Sequence, residues 1–317
     1  MTFPGPQHAA PARPTARFWA AAVLAGVLIG LSASAVSLAA ASSASEPEVE
    51  RIVSPPLPES VTALPRPMVS AVPAAASVCA LPAVQSALAA GDDAAVIAAS
   101  GGAAGFRSAI AGGAAPCIPL GDPARVWVVI NKQRPCEPID YRPPGVSAPA
   151  SIRNLGATSL REDAGAALSA MMAAAANAGA GEVALDSGFR SYETQHSTYE
   201  AQVGARGEAG ADLISARPGF SEHQTGLAAD VVACANGSCG SIERFAGTPQ
   251  SVWVAEHAWE HGWVVRYDEG QTPITGYQPE PWHLRYIGPE LARAYHDGGF
   301  RTLEQFFGIA AAADYAG

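Results

Sequence analysis

The chain has 317 residues, of which 49% are apolar and only 15% are charged, and its formal net charge is −10. This length and apolar content suffice for a hydrophobic core in one or two domains. The negative charge and the lack of a clustered basic face argue against nucleic acid as a partner, because binding phosphates requires such a face.

An apolar segment spans residues 18–41 without a charged side chain, and arginines precede it. A bilayer crossing takes about 20 apolar residues, and basic flanking residues mark the cytoplasmic side. We therefore interpret residues 1–44 as a cytoplasmic N-terminus and a membrane anchor, with the rest of the chain outside the cell. A signal peptide cleaved near residues 39–45 is the alternative, and it predicts a secreted protein.

Two further segments precede the main domain. Residues 45–76 are rich in Pro, Ala and Ser, and we interpret them as an extended linker because their prolines resist helix and sheet. Residues 77–120 carry Ala-rich stretches separated by Gly pairs, which predict a small helical segment. The main domain is expected at residues 121–317.

The five cysteines suit an oxidising compartment, where disulfides persist. Cys234 and Cys239 bracket a short loop, ANGS, and are the preferred pair. Cys79 with Cys117 is a second predicted pair, which leaves Cys136 without a partner. No Cys-x-x-Cys occurs, so the cysteines do not predict a metal site.

From about residue 125 onward the chain alternates strand and helix patterns. VWVVI (126–130) is predicted as a strand, and Ser159 with Glu162 forms a capping box for a long helix ending at Gly179. The later predicted elements are the strand EVALDSGF (182–189), the helix SYETQHSTYEAQV (191–203), the strand GLAADVVA (226–233), the helix SVWVAEHAWEHG (251–262), the strand GWVVRY (262–267) and the strand WHLRYI (282–287). Strands interspersed with helices predict an α+β domain with a mainly antiparallel sheet flanked by helices.

A carboxylate interrupts an apolar strand pattern at Asp230, within LAADVV. In an extended strand this side chain leaves on one definite face, and burying an unpaired charge there costs roughly several kcal/mol. His223 precedes it across the turn QTG, whose glycine lets the chain reverse and bring the imidazole over the strand end. Together the two residues predict two ligands of one metal ion.

A third ligand is expected at His283, within PEPWHLRYIG. Prolines on both sides of Glu280 exclude a helix there, so Glu280 and His283 are expected to meet through a turn. A strand from Trp282 would then direct His283 and Arg285 toward a cleft. Two histidines and one aspartate leave a position on zinc open for water, whose pKa a catalytic site lowers to about 7. Glu280 is predicted as the general base.

Two more polar residues have candidate roles. Arg190 follows a predicted strand at a Ser-Gly turn in LDSGFRSY, where its cation would bind a substrate carboxylate or stabilise an oxyanion. A structural ion pair is the alternative. Ser221, two residues before His223, either donates a hydrogen bond to a substrate or shapes the turn.

Three segments together resemble the VanY-type D-alanyl-D-alanine carboxypeptidases of the LAS metallopeptidase group. SEHQTGLAAD (221–230) meets every fixed position of the pattern S-x-H-x-x-G-x-A-x-D, and EPWH (280–283) meets E-x-x-H. SGFRSYETQ (187–195) is the third segment, and the resemblance covers residues 125–308. INKQRPCEPIDYRPP (130–144) is also similar to the family's N-terminal loop, although Cys136 stands where an apolar residue is expected.

The resemblance implies a zinc ion, Zn2+, with Glu280 activating a water molecule. It places Arg190 near the scissile carbonyl or the terminal carboxylate. The implied metal ligands are His223, Asp230 and His283, and the implied substrate-binding residues are Arg190, Gln195 and Ser221. The implied substrate is the D-alanine-ended stem peptide of peptidoglycan or its precursors. Residues 121–317 would then be a zinc peptidase domain, which we expect to be a monomer held near the cell wall by the anchor and linker.

A competing metal motif is HAWEH (257–261), which matches H-x-x-E-H. On a helix it would place two histidines around zinc, with Glu260 as the base. No motif indicates its third ligand, whereas the other set explains Arg190 and Asp230. Packing of this helix against the sheet is the alternative interpretation of HAWEH.

More than one function remains open from the sequence. An L,D-carboxypeptidase or an endopeptidase acting on the same wall peptides would use the same metal ligands. A non-catalytic cell-wall-binding protein would keep those ligands but have no use for Glu280. Because Glu280 is present, we predict an enzyme, a zinc metallocarboxypeptidase.

Overall fold

The structure is a computed structural model that describes residues 77–315. The predicted anchor or signal segment, residues 1–44, and the predicted linker, residues 45–76, lie outside the described residues. The described residues belong to one compact unit. They combine an antiparallel sheet with flanking helices, which confirms the predicted α+β class.

The strands of the described part of the chain form a main sheet and a separate two-stranded sheet. Their bounds are β1 Val146–Ser147, β2 Leu160–Arg161, β3 Glu182–Ser187, β4 Ala228–Ala235, β5 Ser238–Cys239, β6 Trp263–Tyr267 and β7 Glu280–Tyr286. The main sheet has the order β3-β4-β7-β6, with β5 paired to β4, and β1 pairs with β2. All of these pairings are antiparallel.

Helices surround the main sheet and build the N-terminal part of the described chain. The α-helices are α1 Pro82–Ala90, α2 Asp93–Ala99, α3 Gly102–Ala111, α4 Glu162–Asn177, α5 Tyr192–Arg206, α6 Glu208–Asp212, α7 Pro249–His257, α8 Thr272–Thr275, α9 Pro289–Asp297 and α10 Leu303–Phe307. Short 3₁₀ turns lie at Val78–Ala80, Glu222–Thr225, Ile242–Arg244 and Ala258–His261.

The central strand β4 presents its two faces to different environments. Leu227, Ala229 and Val231 pack into the large hydrophobic core with α4. Val232 belongs instead to a small separate cluster on the other face. Because side chains alternate along a strand, Asp230 leaves β4 on the face opposite to the large core.

The start of the long helix differs from the predicted capping box. α4 begins at Glu162 after Arg161, and no side chain caps it. The predicted cap Ser159 is displaced because the two residues after it form β2 and pair with β1. The end is as expected: the helix stops at Asn177, and Gly179 follows with φ 80°, a conformation that glycine adopts freely.

Residues 126–130, VWVVI, are buried but do not form the predicted strand. The Arg285 guanidinium donates hydrogen bonds from Nη2 to the carbonyls of Val126 and Val128, at 3.3 and 2.7 Å. A side chain thus satisfies the carbonyls that a neighbouring strand would otherwise bind. The apolar composition correctly predicted that these residues are buried. It did not predict that a side chain, Arg285, would bind their backbone carbonyls.

The last strand begins earlier than predicted. β7 includes Glu280 and Pro281, so Glu280 and His283 lie on one strand rather than across a turn. Arg285 does not reach a cleft, because its fully buried guanidinium donates to Glu222 and to the backbone of residues 126–128.

The range 77–120, for which a small helical segment was predicted, contains the helices α1, α2 and α3. Their buried side chains, such as Val84 and Phe106, belong to the same hydrophobic cluster as the core of the main sheet. Both predicted disulfides are present, Cys79–Cys117 and Cys234–Cys239. Cys136 is a buried free thiol.

Within residues 77–315, no single helix has the length and hydropathy that a membrane crossing requires. In this part of the chain, α2 and α3 meet these criteria only when they are taken together, and the pair is bent by 83°.

Candidate metal centre

His223 is presented by the 3₁₀ turn Glu222–Thr225, which ends at Gly226 with φ 72°. Its Nδ1 lies 2.7 Å from the Gly188 carbonyl, which can only accept, so Nδ1 donates and Nε2 faces the other way. A Cβ at Gly188 would lie 2.5 Å from the Ser159 carbonyl oxygen, so only glycine allows this close backbone approach.

Asp230 and His283 are direct cross-strand partners of β4 and β7. Directly opposed residues of an antiparallel pair point to the same face. His283 Nδ1 lies 3.0 Å from Asp230 Oδ1, and His223 Nε2 lies 3.3 Å from Asp230 Oδ2. The aspartate therefore lies between the two imidazoles.

These three residues are all buried, and each offers a ligand atom within 4.8 Å of the others. Among the described residues, no other cluster of histidine, cysteine or carboxylate groups has this arrangement. Burial acts to raise the pKa of Asp230, but the imidazoles of His223 and His283 outweigh it and hold that pKa well below its usual range. The structure thus places the three predicted ligands at one possible metal site.

Glu280 lies at the edge of this site, with Oε2 3.8 Å from His283 Nδ1. Val265 pairs with Leu284, and Tyr267 pairs with Glu280. Between these two pairs β6 has one residue and β7 has three, so the register shifts here. This irregularity removes the strict alternation of β7 and lets Glu280 and His283 face the same side. Burial raises the pKa of Glu280 to about 8.

Arg190 reaches the site from the loop after β3, with Nη2 3.8 Å from Asp230 Oδ2. Its Nη1 donates to Gln195 Oε1 at 3.0 Å and its Nη2 donates to Ser187 Oγ at 2.9 Å. Gln195 is fully buried, and its Nε2 donates to the Ala216 carbonyl. The structure therefore places Gln195 behind Arg190, where it orients the guanidinium, instead of in contact with a substrate.

The site opens into a cleft with a volume of about 390 Å³. Arg190, Ser221 and Glu280 line it together with the three possible metal ligands. Ser221 is itself almost fully buried. The cleft continues beyond the metal site along α5 and the segment that leads into β7.

HAWEH does not form a continuous helical motif. It starts at the last residue of α7 and continues into the 3₁₀ turn Ala258–His261. His257 Nδ1 lies 2.9 Å from Glu260 Oε1, and the His257 ring stacks on Trp253. Among the described residues, HAWEH is not part of a cluster that could hold a metal ion.

Comparison with known proteins gives the family of the chain. Residues 157–289 match the VanY family, described as D-alanyl-D-alanine carboxypeptidase. The putative carboxypeptidase YodJ of Bacillus subtilis (strain 168) is 36% identical over 190 residues, which cover 59% of this chain and 68% of that protein. The chain belongs to the VanY family of D-alanyl-D-alanine carboxypeptidases. It is therefore a peptidase.

Two further relatives of this VanY-family peptidase are informative. A D-alanyl-D-alanine carboxypeptidase of Enterococcus faecium is 33% identical over 138 residues, which cover 44% of this chain and 40% of that protein. The solved structure of the LdcB LD-carboxypeptidase, described as revealing the molecular basis of peptidoglycan recognition, has a TM-score of 0.54 and 35% identity. That likeness covers 59% of this chain and 88% of the LdcB chain.

Glu222 is a further residue of this VanY-family site, and no sequence motif indicated it. Its Oε2 lies 3.3 Å from His283 Nε2, and its Oε1 accepts from Arg266 Nε and Arg285 Nη1, each at 3.0 Å. Burial acts to raise the pKa of Glu222, but the two guanidinium groups outweigh it and hold that pKa well below its usual range. Its only signal in the sequence was its position directly before His223. The structure shows that the whole turn Glu222–Thr225 is buried.

Proposed function

We propose that the chain is a zinc-dependent carboxypeptidase that removes the C-terminal D-alanine from peptidoglycan stem peptides or their precursors. The observation that carries the proposal is the convergence of His223, Asp230 and His283 in one cleft with the buried carboxyl of Glu280 beside them. The D-alanyl-D-alanine carboxypeptidase named among the relatives supports the choice of substrate.

The donor set fits zinc. Two imidazole nitrogens and one carboxylate are ligands of catalytic zinc sites, which keep a further position open. Zinc bonds of about 2.0–2.2 Å in a tetrahedral arrangement separate neighbouring ligand atoms by about 3.3–3.5 Å. His223 Nε2 and Asp230 Oδ2 are 3.3 Å apart, which agrees with that spacing.

Each residue of the site then has a defined task. Bound zinc would supply Lewis-acid catalysis and lower the pKa of water. Glu280 takes a proton from the attacking water and returns one to the departing amine, which a carboxyl with a pKa near the working pH does well. Arg190, held by Gln195 and Ser187, stabilises the developing oxyanion or binds the terminal carboxylate.

A second candidate is an L,D-carboxypeptidase that shortens a tetrapeptide stem. The structural likeness to the LdcB LD-carboxypeptidase, which covers 88% of that chain, favours it. Both candidates use the same metal ligands and the same base, so the shape of the substrate pocket decides between them.

The deciding experiment is to incubate the purified full chain, loaded with zinc, with pentapeptide and tetrapeptide stems and to weigh the products. Loss of one alanine from the pentapeptide alone is the result we expect. Loss from the tetrapeptide alone would replace the proposal with the L,D-carboxypeptidase. Cleavage of neither stem, or equal cleavage by Glu280→Ala, would refute a carboxypeptidase that uses Glu280.

We further propose that the peptidase domain acts outside the cell as a monomer, attached to the membrane by the segment before it. The uncharged residues 18–41 and the proline-rich residues 45–76 support this placement. Fractionation of cells expressing the full chain tests it: recovery in the membrane pellet is expected, and release into the medium would favour the cleaved signal peptide.

A further inference from the structure

The cleft extends away from the metal site along one face of α5. Thr198, Gln202 and Arg206 all line it. They are spaced four residues apart, so they share one helical face. At a rise of 1.5 Å per residue they span about 12 Å, which matches three to four residues of an extended peptide at about 3.3 Å each.

Gln202 has an unsatisfied polar atom on this wall. Its Oε1 is shielded from solvent and accepts no hydrogen bond from any described residue. A shielded amide oxygen without a donor is costly, because it loses its hydrogen bonds to water without replacement. A peptide N–H bound along the wall would supply the donor.

Arg206 is the second cation that lines the cleft, and its charge is unpaired. The described part of the chain offers it no salt bridge and no side-chain hydrogen bond. Arg190, in contrast, is engaged by Gln195, Ser187 and Asp230. The other charged groups lining the cleft are carboxylates: Glu222, Asp230, Glu243 and Glu280.

We propose that Arg206 binds a second carboxylate of the substrate, on a residue upstream of the cleaved bond. This inference rests on the proposed carboxypeptidase function and narrows its substrate class. The enzyme selects stem peptides that keep a free carboxylate along the peptide over those in which this group is amidated. An amide carries no charge for the guanidinium to bind. The amidated peptide therefore binds the cleft with lower affinity than the free acid.

The test uses two stem peptides of identical sequence, one with the upstream carboxylate free and one with it amidated. We expect the zinc-loaded full chain to have a kcat/KM about ten- to a hundredfold higher for the free acid, the range for a hydrogen bond to a charged group. Arg206→Gln should remove this preference, mainly by raising KM for the free acid, and Arg206→Lys should restore part of it.

Arg293→Gln is the matched control, since Arg293 is exposed on α9 and does not line the cleft. It should keep the wild-type preference. Equal kcat/KM for the two peptides in the wild type, or an unchanged preference in Arg206→Gln, would overturn the assignment while leaving the carboxypeptidase function intact. Cleavage of neither peptide would overturn both.

Discussion

Glu222 and His283 meet through Oε2 and Nε2, 3.3 Å apart, in the buried interior behind the metal site. A carboxylate only accepts, so His283 Nε2 carries the proton and Nδ1 is left to face Asp230 at 3.0 Å. Glu222 is itself held by Arg266 and Arg285. Two buried guanidinium groups thus fix the ring orientation of a metal ligand through one carboxylate.

Glu222→Gln should therefore weaken zinc binding about 10–100-fold, the usual cost of losing the group that orients a ligating histidine. Competition with a chromophoric chelator measures this affinity. Glu304→Gln is the control, because Glu304 also pairs with Arg266 but does not contact His283. Both variants should have a lower free energy of unfolding, but only Glu222→Gln should bind zinc more weakly. Equal zinc affinity in the two variants would contradict this role of Glu222.

His223→Ala and Asp230→Ala should each abolish stoichiometric zinc binding, because a site with three protein ligands does not hold its metal after losing one. Atomic absorption of protein purified with zinc measures the metal content, with one ion per wild-type chain expected. His196→Ala, at an exposed position on α5, should keep full content. Full occupancy in either ligand variant would remove the proposed centre.

Glu280→Ala should keep zinc but lose hydrolysis by at least about a hundredfold, the scale of general base catalysis. Steady-state release of D-alanine measures the rate, and metal analysis confirms that the site is loaded. Glu256→Gln changes an exposed carboxylate on α7 and should leave the rate unchanged. Near-native turnover in Glu280→Ala would exclude Glu280 as the base.

Arg285→Met should lower the free energy of unfolding by about 3–5 kcal/mol, the cost of breaking a buried charged pair. It removes a donor to Glu222 and leaves the carbonyls of Val126 and Val128 without their partner. Urea denaturation measures the change. Arg244→Met, at an exposed position, should stay within about 0.5 kcal/mol of the wild type. A similarly small change for Arg285→Met would show that the backbone of residues 126–130 finds another partner.

The Cys136 thiol should resist alkylation in the folded protein. It is 1% exposed, and burial raises its pKa to about 12, so almost no thiolate forms near neutral pH. Mass spectrometry after iodoacetamide treatment should find no adduct under native conditions. One adduct is expected in denaturant, and five once a reductant opens both disulfides. Rapid native labelling would mean that the segment around Cys136 opens in solution.

Sequence patterns alone predicted the local parts of the metal site. The turn SEHQTG and the strand LAADVV lie within twelve consecutive residues, and their glycine, apolar alternation and carboxylate are local signals. They correctly predicted which face of β4 carries Asp230. The segment PEPWHLRYIG also indicated His283 as a ligand and Glu280 as the base, and the family resemblance agreed, but neither determined how these residues reach Asp230.

Tertiary structure decided how the distant residues meet. His283 reaches Asp230 because β7 pairs with β4 in one particular register, and Glu280 joins them because of the register shift opposite β6. Neither register is encoded in the spacing of residues along β7. Residues 126–130 do not form a strand, also because of a distant residue. Arg285, far away in sequence, binds the carbonyls of this segment. Turn geometry and side-chain alternation follow from neighbouring residues, whereas strand register and the partners of buried charges depend on the packing of the whole domain.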